Sequence, residues 1–236
     1  MKKILLIVIL ATFVFSSCKK DTLGVSRITT YPLISLKGSP TMFWAMNTTF
    51  VDPGCTAIEG TSDISTKITA TSIDVTKGGK YTINYKVLNS DGFSATVSRT
   101  VYVYDPTSQM NGIYKSTISR TTTTTGAIAN RGPFNILVFG VGGSNFWVED
   151  LMGGYYYYGS AYGVTYAGTA VLQLNTDNTL TVVKSFPTAF SAASACVFVS
   201  SSTYNTATKT ILTHSSMGDT PQYLFNVTLN NPSPLF

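Results

Sequence analysis

The chain has 236 residues, a formal charge of +5 and only 11% charged residues, against about 25% in an ordinary soluble domain. Its 16 Lys and Arg are scattered rather than gathered on one stretch, which argues against a nucleic-acid-binding face. Thr, Ser, Asn and Tyr must then carry the polar surface, and such residues suit sheet faces better than helices.

The chain opens with Met1-Lys2-Lys3, runs apolar from Ile4 to Phe15 apart from Thr12, and closes with Ser16-Ser17-Cys18. A positive start, a short apolar core and small residues at the cut site describe a secretory signal. The run is too short to span a bilayer, which takes ~20 apolar residues. This segment resembles a bacterial lipoprotein signal, although Phe15 stands where Leu is usual. The resemblance implies that residues 1–17 are removed and that Cys18 is lipidated as the mature N-terminus. The alternative is an ordinary cleaved signal with a chance cysteine. Residues 18–26 read as a polar tether. Its Lys19, Lys20 and Asp21 resemble the charged leash of lipoproteins on the outer face of the outer membrane, so the expected location is the cell surface.

Residues 27–105 carry short β signals separated by turn chemistry. Tyr81, Ile83, Tyr85 and Val87 alternate with period two and share one face. Asn89-Ser90-Asp91-Gly92 is a hairpin turn, because Asp-Gly tolerates positive φ. Strands about ten residues apart predict a β-sandwich. Phe50-Val51-Asp52-Pro53-Gly54-Cys55, Lys77-Gly78-Gly79-Lys80-Tyr81, Asp91-Gly92-Phe93 and Arg99-Thr100-Val101 follow in that order. In these pieces the chain resembles bacterial immunoglobulin-like domains of surface proteins, close to HYR-like repeats. That resemblance implies a spacer or scaffold and no reaction.

Residues 106–109 read as a linker, since proline stops a sheet. Residues 110–236 form a second β series, with expected strands at 112–120 (extended by the polar run 121–125), 134–139, 145–149, 155–158, 169–174, 179–184, 195–204, 209–214 and 222–229. Consecutive antiparallel strands of this number fit a small barrel or barrel-like sandwich, which removes sheet edges. The fold class is therefore all-β, an immunoglobulin-like sandwich followed by a barrel-like domain. Cys55 and Cys196 fall in different modules, and both read as free, buried thiols.

The Gly-Tyr segment 150–168 is the one unusual stretch. If Tyr155–Tyr158 are a strand, Tyr155 and Tyr157 face one way and Tyr156 and Tyr158 the other. One pair then enters the core and the other stands in solvent or a groove. Amphipathic rings with a hydroxyl suit sugar faces, so Trp147, Tyr155, Tyr156, Tyr157, Tyr158, Tyr162 and Tyr166 are the candidate ligand residues. Cross-strand packing of the same rings is the structural alternative. The segment resembles the last domain of surface lipoproteins that pair an immunoglobulin-like module with a small barrel. Such proteins are similar to accessory members of starch-utilisation-type glycan uptake systems. The implied partners are a membrane through the lipid, a glycan, an outer-membrane transporter and its binding lipoprotein, with no nucleic acid.

Chemistry has little to draw on. Glu59 and Glu149 are the only glutamates and His214 the only histidine. Glu149-Asp150 fit a strand end with Asp150 capping the following turn, better than the carboxylate pair a glycosidase needs. Asn175, Asp177 and Asn178 read as a hairpin turn rather than a cation site. His214 with Ser215 or Ser216 and Asp219 lacks triad geometry in sequence. No catalytic residue, metal or cofactor is expected. The expected role is non-catalytic capture of an extracellular glycan; a structural or adhesive lipoprotein without a small ligand is the alternative.

Overall fold

The computed structural model describes residues 29–218 and 222–235. Cys18, the signal 1–17 and the tether 18–26 lie outside them. Seven strands build the first module: β1 (Pro32–Leu36), β2 (Thr41–Ala45), β3 (Cys55–Glu59), β4 (Ser62–Asp63), β5 (Thr69–Ala70), β6 (Gly79–Leu88) and β7 (Ser94–Tyr104). They form two sheets, β1-β3-β4 and β2-β7-β6-β5, with β2 running parallel to β7. The expected alternation holds, since Ile83, Tyr85 and Val87 are buried between exposed neighbours. The Asn89–Gly92 turn joins β6 to β7, with Gly92 at φ +87°.

The Asp-Pro-Gly turn has a structural task. Asp52 Oδ1 accepts from Gly54 N at 2.9 Å and from the Tyr85 hydroxyl at 2.6 Å, and lies 3.6 Å from the guanidinium of fully buried Arg99. Arg99 also donates to the carbonyls of Lys37 and Gly54. A buried charge must be paired and hydrogen-bonded to be tolerated, and this turn supplies both.

The second module comprises β8 (Gly112–Thr122), β9 (Ile128–Gly142), β10 (Asn145–Val148), β11 (Ala170–Leu174), β12 (Leu180–Ser185), β13 (Cys196–Phe198), β14 (Thr203–Asn205), β15 (Thr210–Met217) and β16 (Tyr223–Ser233). The order is β12-β11-β10-β9-β8-β16-β15-β13, with β14 also on β15. β13 and β14 lie end to end along β15, so the expected strand at 195–204 exists but is interrupted at 199–202. The barrel nearly closes between its first and last staves. Leu180 N donates to Ser202 O at 2.8 Å, Tyr204 N to Asn178 O at 2.9 Å, and Thr179 bridges Thr203. Eight staves leave an interior that side chains can fill.

The expected strand at 155–158 is absent; residues 149–168 form a turn-rich loop. The reason is geometric. Gly153 and Gly154 sit at φ +65° and +92°, in the left-handed region that ends a strand. The expected linker is also no loose tether. Asp105 N donates to Gly140 O, its carboxylate accepts from Thr107 N, and Asn111 bonds both Asp105 O and Gly140 N.

The two modules are fastened by rings. Phe139 and Trp147, on the outer face of β9 and β10, meet Phe43 and Tyr102 of the sandwich. Tyr102 lies 5.2 Å from Phe43, 5.6 Å from Phe139 and 5.8 Å from Trp147 between centroids.

Candidate functional site

The Gly-Tyr loop is the plug of the barrel. Leu151, Met152 and Tyr155 enter the core, where they join Ile118, Phe225 and Val227. The loop's polar backbone must be satisfied there, and the strands supply the partners. Ser116 Oγ donates to Gly153 O at 2.6 Å and Ser215 Oγ to Leu151 O at 3.1 Å, from inward positions that would otherwise suit apolar residues. A Cβ on Gly153 would lie 2.7 Å from Ile118 Cγ1 and 2.8 Å from Val227 Cγ1, so only glycine lets the plug seat.

Asp150 organises the loop, as the reading of it as a cap expected. Its Oδ1 accepts from Met152 N and Gly168 N, both at 2.8 Å, and Oδ2 from Gly154 N at 2.9 Å. Burial pushes its carboxyl up to about 7, although the three N–H donors pull the other way. Neighbouring Glu149 is also raised by desolvation, opposed by its bond from Leu137 N and by the charge of Lys80. Asp150 is wholly buried and tied to three N–H groups, so it cannot reach a substrate. His214 Nδ1 pairs with Asn226 Oδ1 at 2.6 Å, and Ser215 and Ser216 spend their hydroxyls on carbonyls. Asp219 lies outside the described residues. Asp177 accepts from Thr179 N and Oγ1, an ordinary turn contact.

The candidate rings divide sharply. Trp147, Tyr155 and Tyr156 are 5%, 2% and 8% exposed. This corrects the expectation of a ligand role for all seven candidates, because these three are packing residues. Trp147 is held in the module interface, and Tyr155 lies under the guanidinium groups of Arg120 and Arg131, 4.7 and 4.2 Å from its centroid. Tyr157 is half-buried and stacks on Tyr158 at 3.8 Å; Tyr158, 38% exposed, also stacks on Phe134.

Tyr162 is the most open of the candidate rings, at 54%. It stacks on Tyr156 at 6.0 Å with an interplanar angle of 14°, and Tyr166 meets it edge-on at 5.2 Å. Phe190, 43% exposed, closes the group at 4.9 Å from Tyr156 and 4.7 Å from Tyr166. The plug loop and the 186–195 loop emerge at the same barrel end, held by Ala189 N donating to Thr165 O. Sequence reasoning missed Phe190, which follows Pro187-Thr188-Ala189 with no periodic context. Only strand order brings it to the tyrosines.

The architecture is an all-β pair, an immunoglobulin-like module joined to a barrel-like domain. The family model for a bacterial surface protein, Ig-like domain matches residues 34–103, and the BT2262-like, C-terminal domain matches residues 103–231. The chain belongs to this BT2262-like family of surface lipoproteins. The crystal structure of the lipoprotein BT2262 from Bacteroides thetaiotaomicron is similar, with TM-score 0.63 and 26% identity over 85% of this chain and 100% of that one. A structure of CBM51-2 in complex with GlcNAc and INT domains from Clostridium perfringens ZmpB aligns with 22% identity over 50% of this chain and 32% of that one. Its TM-score of 0.27 carries no inference about fold or ligand. No curated protein matches. Neither matching family model names a catalytic activity.

Proposed function

We propose that this surface lipoprotein captures an extracellular glycan without catalysis, on the ring cluster of Tyr162, Tyr166 and Phe190, and passes it to an outer-membrane uptake system. The observation that carries this reading is the open Tyr162 ring, backed by buried Tyr156 and mounted on a plug fixed in the barrel. A ring held rigid before binding loses little entropy on contact, and the C–H face of a pyranose stacks on such a surface. The outer-membrane location and the lipid at Cys18 belong to the same proposal. Many tethered copies would compensate for weak single-site binding.

The structural or adhesive reading has its own support: Trp147, Tyr155 and Tyr156 are buried in the module interface and the barrel core. Affinity gel electrophoresis of the full chain against a panel of neutral polysaccharides separates the two. Retardation of the parent protein, lost in Tyr162→Ala and Phe190→Ala at unchanged melting temperature, supports capture. Equal migration in every gel overturns it.

A further inference from the structure

The cleft between the two modules is built from both. Lys80 and Tyr81 on β6 form one wall; Trp147, Lys184 and Phe186 form the other, around a space of about 550 Å³. That volume falls within the usual range for small-molecule sites. The modules approach closely here because Gly78 has no side chain: a Cβ would lie 2.3 Å from Val141 Cα. Both lysines are exposed, one from each module. Neither ammonium has an ion-pair or hydrogen-bond partner among the described residues. The Lys184 ammonium instead stands 4.7 Å from the Phe186 centroid. The charge of Lys80 is felt by Glu149, whose Oε2 accepts from Leu137 N, but the two groups make no ion-pair contact. By contrast, neighbouring Lys77 is neutralised by Asp74 at 3.1 Å.

We infer that this intermodule cleft binds a carboxylated saccharide, with the Phe186 ring against the sugar and Lys80 and Lys184 bonding its carboxylate. The flat Phe186 ring supplies a surface for a pyranose face, and two exposed ammonium groups outside any ion-pair contact supply charge-assisted bonds to a carboxylate. The site is separate from Tyr162 and stands whether or not that ring takes a neutral glycan.

The test uses the full chain in affinity gels containing polygalacturonate, dextran sulfate or neutral dextran, at 0.15 M NaCl. The expected result is retardation by polygalacturonate and little by the other two. Lys80→Gln/Lys184→Gln removes two charge-assisted hydrogen bonds and should weaken it at least about tenfold, a loss that one of the two already accounts for. Tyr162→Ala should leave it unchanged, which separates this site from the proposed glycan platform. Phe186→Leu, which keeps both charges, should weaken it as well. Unretarded parent protein, equal retardation by dextran sulfate, or a double-glutamine variant that binds like the parent would each overturn the inference.

Discussion

Replacing Asp150 by Asn should change how stability depends on pH rather than simply lower it. Burial raises the carboxyl from its ordinary 3.8 to about 7 in the folded protein. The folded state therefore holds a proton that the unfolded chain has already released between those values. Where the folded state binds more protons, stability falls as pH rises. The contribution is fully present below pH 3.8 and is lost through about 7. Each unit is worth about 1.4 kcal/mol, so acidifying from pH 8 to 5 should stabilise the parent by roughly 3 kcal/mol through this residue. Asn does not titrate. Its Oδ1 keeps the bonds from Met152 and Gly168, but its amide nitrogen faces Gly154 N–H, a mismatch costing about 1–3 kcal/mol. Asp63, Asp74 and Asp177 are lowered below 3.8 by hydrogen bonds from nearby Ser and Thr residues and titrate below this window. Glu149 is raised but is present in both proteins. Urea unfolding at pH 5, 6, 7 and 8 reads the gap between parent and variant. It should widen toward acid in favour of the parent. A gap that stays constant, or widens toward alkali, would refute the account of a carboxyl raised by burial.

Gly153→Ala should cost roughly 2–4 kcal/mol, combining left-handed strain with overpacking against Ile118 and Val227. Gly163→Ala, at φ +92° with nothing within 4 Å of a new Cβ, should lose only the strain of about 1–2 kcal/mol; equal melting shifts in the two would contradict the plug. Arg99→Met should destabilise by about 3–5 kcal/mol, because it breaks a buried charge contact and abandons the Lys37 and Gly54 carbonyls; a loss under 1 kcal/mol in urea would show the pairing to be dispensable. Cys196 is fully buried and its thiol is pushed far up by desolvation. It should resist a thiol reagent in the native protein and react in denaturant, with fast native labelling as the contrary result.

Much of the fold could be read from local pattern. The alternation of Tyr81 to Val87 and the Asp91-Gly92 turn each depend on neighbours a few residues away, so the hairpin of β6 and β7 is written locally. The strand expected at 112–120 also forms, as β8, but that Gly112 and Ser116 are among its inward positions is visible only in the structure. The thiols Cys55 and Cys196 are free and buried, as expected. Asp150 acts as a cap, in keeping with its position just after a strand.

The Tyr155–Tyr158 run had no such local determinant. Four identical residues carry no periodicity, and a strand and a turn fit them equally well in isolation. What decides between them is distant in sequence: hydroxyls from Ser116 and Ser215, the Gly168 N–H on Asp150, and room beside Ile118 and Val227 for Gly153 alone. The same distance separates Phe190 from Tyr162 and Lys80 from Lys184. Outside the tyrosine run and the interruption at 199–202, sequence alone determined where the strands of the barrel fall, because alternation and turn chemistry act between near neighbours. The nearly closed barrel determined which rings are buried and which are offered to solvent, because exposure depends on contacts that exist only after distant strands pair.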